Sequence, residues 1–217
     1  GEKSSLSQIT LFAVSVLALA SLPSSYLLYR WGPLQKSKAC EHFLLRAHPE
    51  KLIAALLTLL LTPRYIQHRP STLTRNTLLK KLLQHWIAAC IPLLGGGLGS
   101  GFVRWDFSLL QPKDFVLWCV NMLRVVWEEE IIFRLLIDNL CSFYWKNTPA
   151  RGYYASTLIF GLAHGSGGPV MIALSSVAGA LYSNIYRVTA RLPAAMALHF
   201  LVNLSHLFLV SYPHYKP

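Results

Sequence analysis

Residues 127–134 read WEEEIIFR, placing Glu128, Glu129 and Glu130 in a row between the apolar runs DFVLWCVNMLRVV (114–126) and IIFRLLIDNLCSFYW (131–145). Two arrangements fit this pattern. A turn at the carboxylates would leave them in water, between two short helices. One continuous helix over 114–145 would sink them about 20 Å from either end, at 1.5 Å of rise per residue. The stretch VVWEEEIIFR contains no Gly, Pro, Asn or Ser to punctuate a turn, which favours the continuous helix.

The bulk composition sets the solvent. Charged residues make up 13% of the 217-residue chain and hydrophobic ones 53%, with a mean hydropathy of +0.41. A soluble domain carries about 25% charged residues, so the chain belongs in a bilayer. The net charge of +11 is concentrated in RWGPLQKSKACEHFLLRAHPEK (30–51) and PRYIQHRPSTLTRNTLLKK (63–81), both beside apolar runs. That distribution suits anionic lipid headgroups and the positive-inside pattern, not a nucleic-acid surface. Cys40, Cys90, Cys119 and Cys141 lack the close spacing of a zinc site and read as small apolar fillers.

Apolar runs cover 9–29, 50–67, 82–103, 114–127, 131–145, 152–164, 169–187 and 192–212. None alternates with period two, so the expected fold is all-α: a polytopic membrane bundle of about eight transmembrane or embedded helices. The expected organisation is one membrane domain, with N-terminal helices and a basic linker over 1–110 and a chemistry-bearing part over 111–212. The run at 9–29 lacks a basic approach and a cleavage site, so it reads as a retained helix. Pro49 and Glu50 suit the first turn of the second helix. The polar linker 68–81 is expected to lie along the headgroups. GGGLGSG (95–101) is either a loop or a site of close helix packing. HGSGGPV (164–170) is a turn or unwound stretch, tolerated at membrane depth only beside protein or a wet cavity. Trp31, Trp86 and Trp105 are expected at the membrane interfaces.

Ionised groups inside a membrane face one another or a cavity. Glu130 and Arg134 are four apart with Glu first, the favoured order for a helical ion pair. Glu129 projects about 100° around the helix, toward a different partner. Glu128 is expected to face solvent or a lumen. Other buried polar groups are few. His164 ends FGLAH (160–164), while His199 and Asn203 bracket HFLVN (199–203) one helical turn apart, with His206 on the same face. His85 and His206 read as satisfied structural residues. Together Glu129, His164, His199 and Asn203 supply a base, a second proton-handling group and hydrogen-bond donors, the components of water-mediated hydrolysis.

The three spacings, Glu-Glu-x-x-x-Arg (Glu129, Glu130, Arg134), Phe-x-x-x-His (Phe160, His164) and His-x-x-x-Asn (His199, Asn203), occur in order on hydrophobic helices. In this the chain resembles the CAAX protease and bacteriocin-processing (Abi) family of glutamic intramembrane endopeptidases. The resemblance implies an eight-helix membrane protease without cofactor or metal. Glu129 would activate water with help from His164, and His199 and Asn203 would stabilise the oxyanion. Glu130 and Arg134 would support the site structurally. The substrate would be a membrane-associated protein or peptide, cut at a C-terminal, anchor or leader segment. Short termini suit a compact member in a prokaryotic plasma membrane. Two other readings remain at this stage. A zinc metalloprotease is opposed by the absence of His-Glu-x-x-His and the poor affinity of Asn for zinc. A transporter or scaffold would use the same polar groups as an ion path, but no inverted repeat is visible.

Overall fold

The computed structural model describes residues 49–61, 73–107 and 110–211. The expected helix at 9–29, Trp31, Cys40, residues 62–67 of the second apolar run and residues 68–72 of the linker lie outside these. The described residues form helix α1 (Pro49–Leu61), α2 (Arg75–Gly99), strand β1 (Arg104–Trp105) and α3 (Pro112–Glu130). A π-helical segment (Ile131–Asp138) continues α3 without a break and leads into α4 (Asn139–Tyr144). Then come α5 (Pro149–Ala163), a 3₁₀ turn (Gly165–Gly167), α6 (Gly168–Thr189), α7 (Leu192–Leu209) and β2 (Val210–Ser211).

The described residues are therefore mainly helical, with one short antiparallel pairing in which Trp105 faces Val210. Among the described residues, α2, α6 and α7 are long and apolar enough to cross a membrane, by length and composition. Their outward faces carry exposed Leu83, Ile87, Ile91 and Val177, as lipid contact requires.

The helix through the carboxylates is continuous over 112–144, so the turn reading fails. Its centre departs from the expected α-helix. Ile131–Asp138 adopt the wider π geometry and are buried throughout. Widening frees carbonyls from their usual partners, and the Asn139 amide caps two of them, donating to Arg134 O at 3.1 Å and Leu135 O at 2.9 Å. Such segments are rare and occur frequently at functional sites.

Two other expectations change. Residues 75–81 are not a headgroup linker but the first two turns of α2, started by Thr74, whose hydroxyl accepts from the Thr77 amide at 3.3 Å. Trp86 is half-buried and donates to Ser205 Oγ at 3.0 Å, fastening α2 to α7 instead of anchoring at an interface. Trp105 does stand exposed, stacked on Phe107 at the β1 end. The glycine run is helical through Gly99. A side chain at Gly96 or Gly97 would press on Leu174 or Val103, so close packing is its role.

α5 and α6 form an antiparallel hairpin whose tip is the 3₁₀ turn. Tyr153 Oη donates to Ala180 O at 2.8 Å near the open end. Nearer the tip, Gly161 lies against α6 so closely that a Cβ there would stand 2.7 Å from Ile172 O. Gly168 turns the chain with φ +82°, and Pro169 follows in the first turn of α6. The hairpin, not the loop alone, therefore sets the position of His164. Gly161→Ala is expected to destabilise the fold by about 1–3 kcal/mol, because backbone must shift to admit the methyl group. Thermal unfolding in detergent checks this.

Candidate active site

Each of the three carboxylates is buried, and each has its own cation. Glu128, expected to be solvated, is 1% exposed and bonded to Arg124 Nη1 at 2.9 Å. That arginine lies one turn earlier on the same helix, a spacing legible in the sequence but read only in the forward direction. Glu130 accepts from Arg134 Nε at 2.8 Å, and both side chains are fully buried. Glu129 takes its cation from another element: Lys51 Nζ, in the first turn of α1, lies 3.4 Å from its Oε1. No spacing rule could have supplied Lys51, which is 78 residues away.

Arg134 is the centre of the buried network. Besides Glu130 it donates to Ser183 Oγ on α6, and its guanidinium carbon lies 5.1 Å above the Phe160 ring. Its Nη2 makes no hydrogen bond among the described residues. Phe160 in turn touches Phe133 edge-on at 4.8 Å and the His164 ring at 4.8 Å. The aromatic residue of FGLAH is thus the wedge between the arginine of the first spacing and the histidine of the second.

The structure brings His164, His199 and Asn203 to one cavity of about 80 Å³, together with Phe160, Tyr182 and His206. A water needs about 10–15 Å³ of such space, so several fit. Much of the remaining lining is apolar, from Leu93, Val103, Met171, Leu174 and Val202. Glu129 sits at the margin of this cavity and not in its lining. Its Oε2 lies 3.8 Å from His164 Nε2, too far for a direct hydrogen bond but open to a water touching both.

Both imidazoles are oriented from behind. His164 Nδ1 lies 2.8 Å from Phe160 O, and a carbonyl only accepts. Nδ1 therefore carries the proton and Nε2 is turned toward Glu129. His199 Nδ1 lies 2.9 Å from Glu130 Oε1, and its ring stacks on Tyr182 with centroids 4.5 Å apart. Glu130 already accepts from Arg134, so its second oxygen accepts from Nδ1–H, leaving Nε2 for the cavity. Asn203, one turn on, spends its amide on Met122 Sδ at 3.0 Å, a weak acceptor that is readily exchanged.

A second buried charge group went unpredicted. Asp138 accepts from Arg187 and, at 3.2 Å, from Ser156 Oγ, while Arg187 also lies over the Tyr153 ring. It ties the π segment to α5 and α6 below the cavity. His85 is satisfied, as expected, by Lys81 O at 2.7 Å and the Asn184 amide at 3.3 Å. Cys90, Cys119 and Cys141 are free thiols. Among the described residues, no three His, Cys, Asp or Glu side chains are grouped as a metal ion would need.

The family comparison falls on this region. Residues 111–205 match the family model described as type II CAAX prenyl endopeptidase Rce1-like. Over that segment, rather less than half of the chain, the protein is similar to the Rce1-like family. The matched residues include all three spacings and every side chain of the cavity from Phe160 to Asn203. This similarity, with three helices fit to cross a membrane, supports a membrane-embedded peptidase. No curated protein and no solved structure matches the chain significantly.

Proposed function

We propose that the chain is an intramembrane endopeptidase that cuts a membrane-associated protein or peptide with water activated by Glu129 and His164. The observation that carries this is the approach of Glu129 Oε2 to His164 Nε2 at the edge of a water-sized cavity that also receives His199 and Asn203. Glu129 removes the proton of a water held between it and His164, and the hydroxide attacks the scissile carbonyl. The oxyanion accepts hydrogen bonds from the Asn203 amide and from His199 Nε2–H. Because Nδ1–H is committed to Glu130, His199 donates through Nε2 only as imidazolium. Glu130 fixes the ring through its bond to Nδ1, so it holds the donor as well as the fold. The proton on Glu129 then passes to the leaving amine, and the carboxylate is restored.

The apolar wall of the cavity suits a hydrophobic substrate side chain near the cut. The basic segments suit anionic headgroups and a substrate already held at the membrane. The cut would fall at a C-terminal, anchor or leader segment, and the protein would be multi-pass.

Asn203→Ala is expected to lower kcat by about 10²–10³ with little change in KM, since the lost donor serves only the tetrahedral intermediate. The function itself is tested by mass spectrometry of membrane proteins from cells carrying the wild-type chain or His164→Ala. New protein ends seen only with the wild type would locate the cut. Identical ends in both samples would reject proteolysis. Activity that disappears on chelation would instead indicate a metalloenzyme.

A further inference from the structure

The two oxygens of Glu129 are divided between two elements. Oε1 accepts from Lys51 Nζ of α1 at 3.4 Å, and Oε2 faces His164 Nε2 at 3.8 Å. Glu128 and Glu130 each have an arginine on their own helix, so the local sequence neutralises them. Glu129 has none there. We propose that Lys51 is a positioning residue for the reaction, clamping Oε1 of Glu129 so that Oε2 is presented to His164 and the attacking water. This rests on the role given to Glu129 above.

Three observations support it. A carboxylate's last torsion is broad, so burial alone does not fix the plane of the group, and a cation on one oxygen sets the direction in which the other points. Glu129 is only 6% exposed, and water cannot orient it as it would a surface carboxylate. The Lys51 side chain is 34% exposed and its bond to Glu129 is part-buried, so the cation is less screened by water than one on an open surface. α1 packs beside the π segment and α3, and contributes no side chain to the lining of the cavity. Its contribution to the chemistry therefore runs through Glu129.

The test uses the full-length chain in lipid nanodiscs and a membrane-anchored reporter peptide that the wild type cleaves. Lys51→Met keeps the stem and removes the ammonium. It is expected to lower kcat by about 10- to 100-fold, as a misplacement of about 1 Å does, with KM unchanged. Lys51→Arg, which restores a cation, is expected to recover most of the loss. The double variant Lys51→Met with Glu129→Gln is expected to be no slower than Glu129→Gln alone. Should Lys51→Met match the wild type in kcat, the inference is wrong. It is equally wrong if Lys51→Arg is as impaired as Lys51→Met while both melt at the wild-type temperature, because the ammonium would then not be what matters. If Lys51→Met does not fold, Lys51→Arg and Lys51→Gln are compared instead, and equal kcat in those two overturns the inference. Glu129→Gln is the separate control. Wild-type turnover in that variant would overturn the role of Glu129 itself, whatever Lys51 does.

Discussion

Glu129→Gln is expected to lower kcat by about 10²–10⁴ while leaving the melting temperature nearly unchanged, since placed proton transfer contributes that much to a rate. The substitution keeps the shape and one hydrogen-bond acceptor for Lys51 but removes the base. Its neighbour provides the contrast. Glu128 is just as buried and is also paired, yet its partner is Arg124, and the two imidazoles pair with Glu129 and Glu130 instead. Glu128→Gln should therefore retain most activity. Measuring both variants on one reporter peptide, with unfolding followed in detergent, separates a chemical role from a structural one. Equal losses in the two would refute the choice of Glu129.

Arg134→Ala is expected to cost about 3–5 kcal/mol of stability, because it leaves a buried carboxylate without its cation. Three contacts disappear together: the bond to Glu130, the bond to Ser183 and the stacking on Phe160. Arg134→Lys should recover little, since an ammonium cannot serve Glu130 and Ser183 in the same fork geometry. The loss should also reach His199, which Glu130 holds at 2.9 Å. A melting curve in detergent measures the stability loss. An Arg134→Ala variant as stable as the wild type would show that the network contributes nothing to the fold.

The parts of this structure visible in the sequence are those governed by local chemistry. The absence of turn formers around Glu128–Glu130 pointed to an unbroken helix, and the helix is unbroken. The i, i+4 order of Glu130 and Arg134 foretold their bond. Pro169 and the glycines before it marked the hairpin tip beside His164. The rest depended on distance or on the bundle. Nothing near Glu129 announces Lys51, and nothing near Asp138 announces Arg187. The π geometry of Ile131–Asp138 has no residue signature of its own, although Asn139 suits the carbonyls it frees. Glu128 differs for a simpler reason: position 132, four residues after it, holds Ile, and its cation Arg124 stands four residues before it. The start of α2 is masked by polarity: Thr74 caps it from inside a stretch whose composition is that of a linker.

The way the three acids are neutralised also bears on how the bundle is assembled. Arg124–Glu128 and Glu130–Arg134 close within a single helix, so both pairs exist as soon as that helix winds. Glu129 waits until α1 docks against it. A chain in which α1 has not docked leaves that acid protonated or unpaired, so the burial of all three charges depends on contact between distant parts of the sequence.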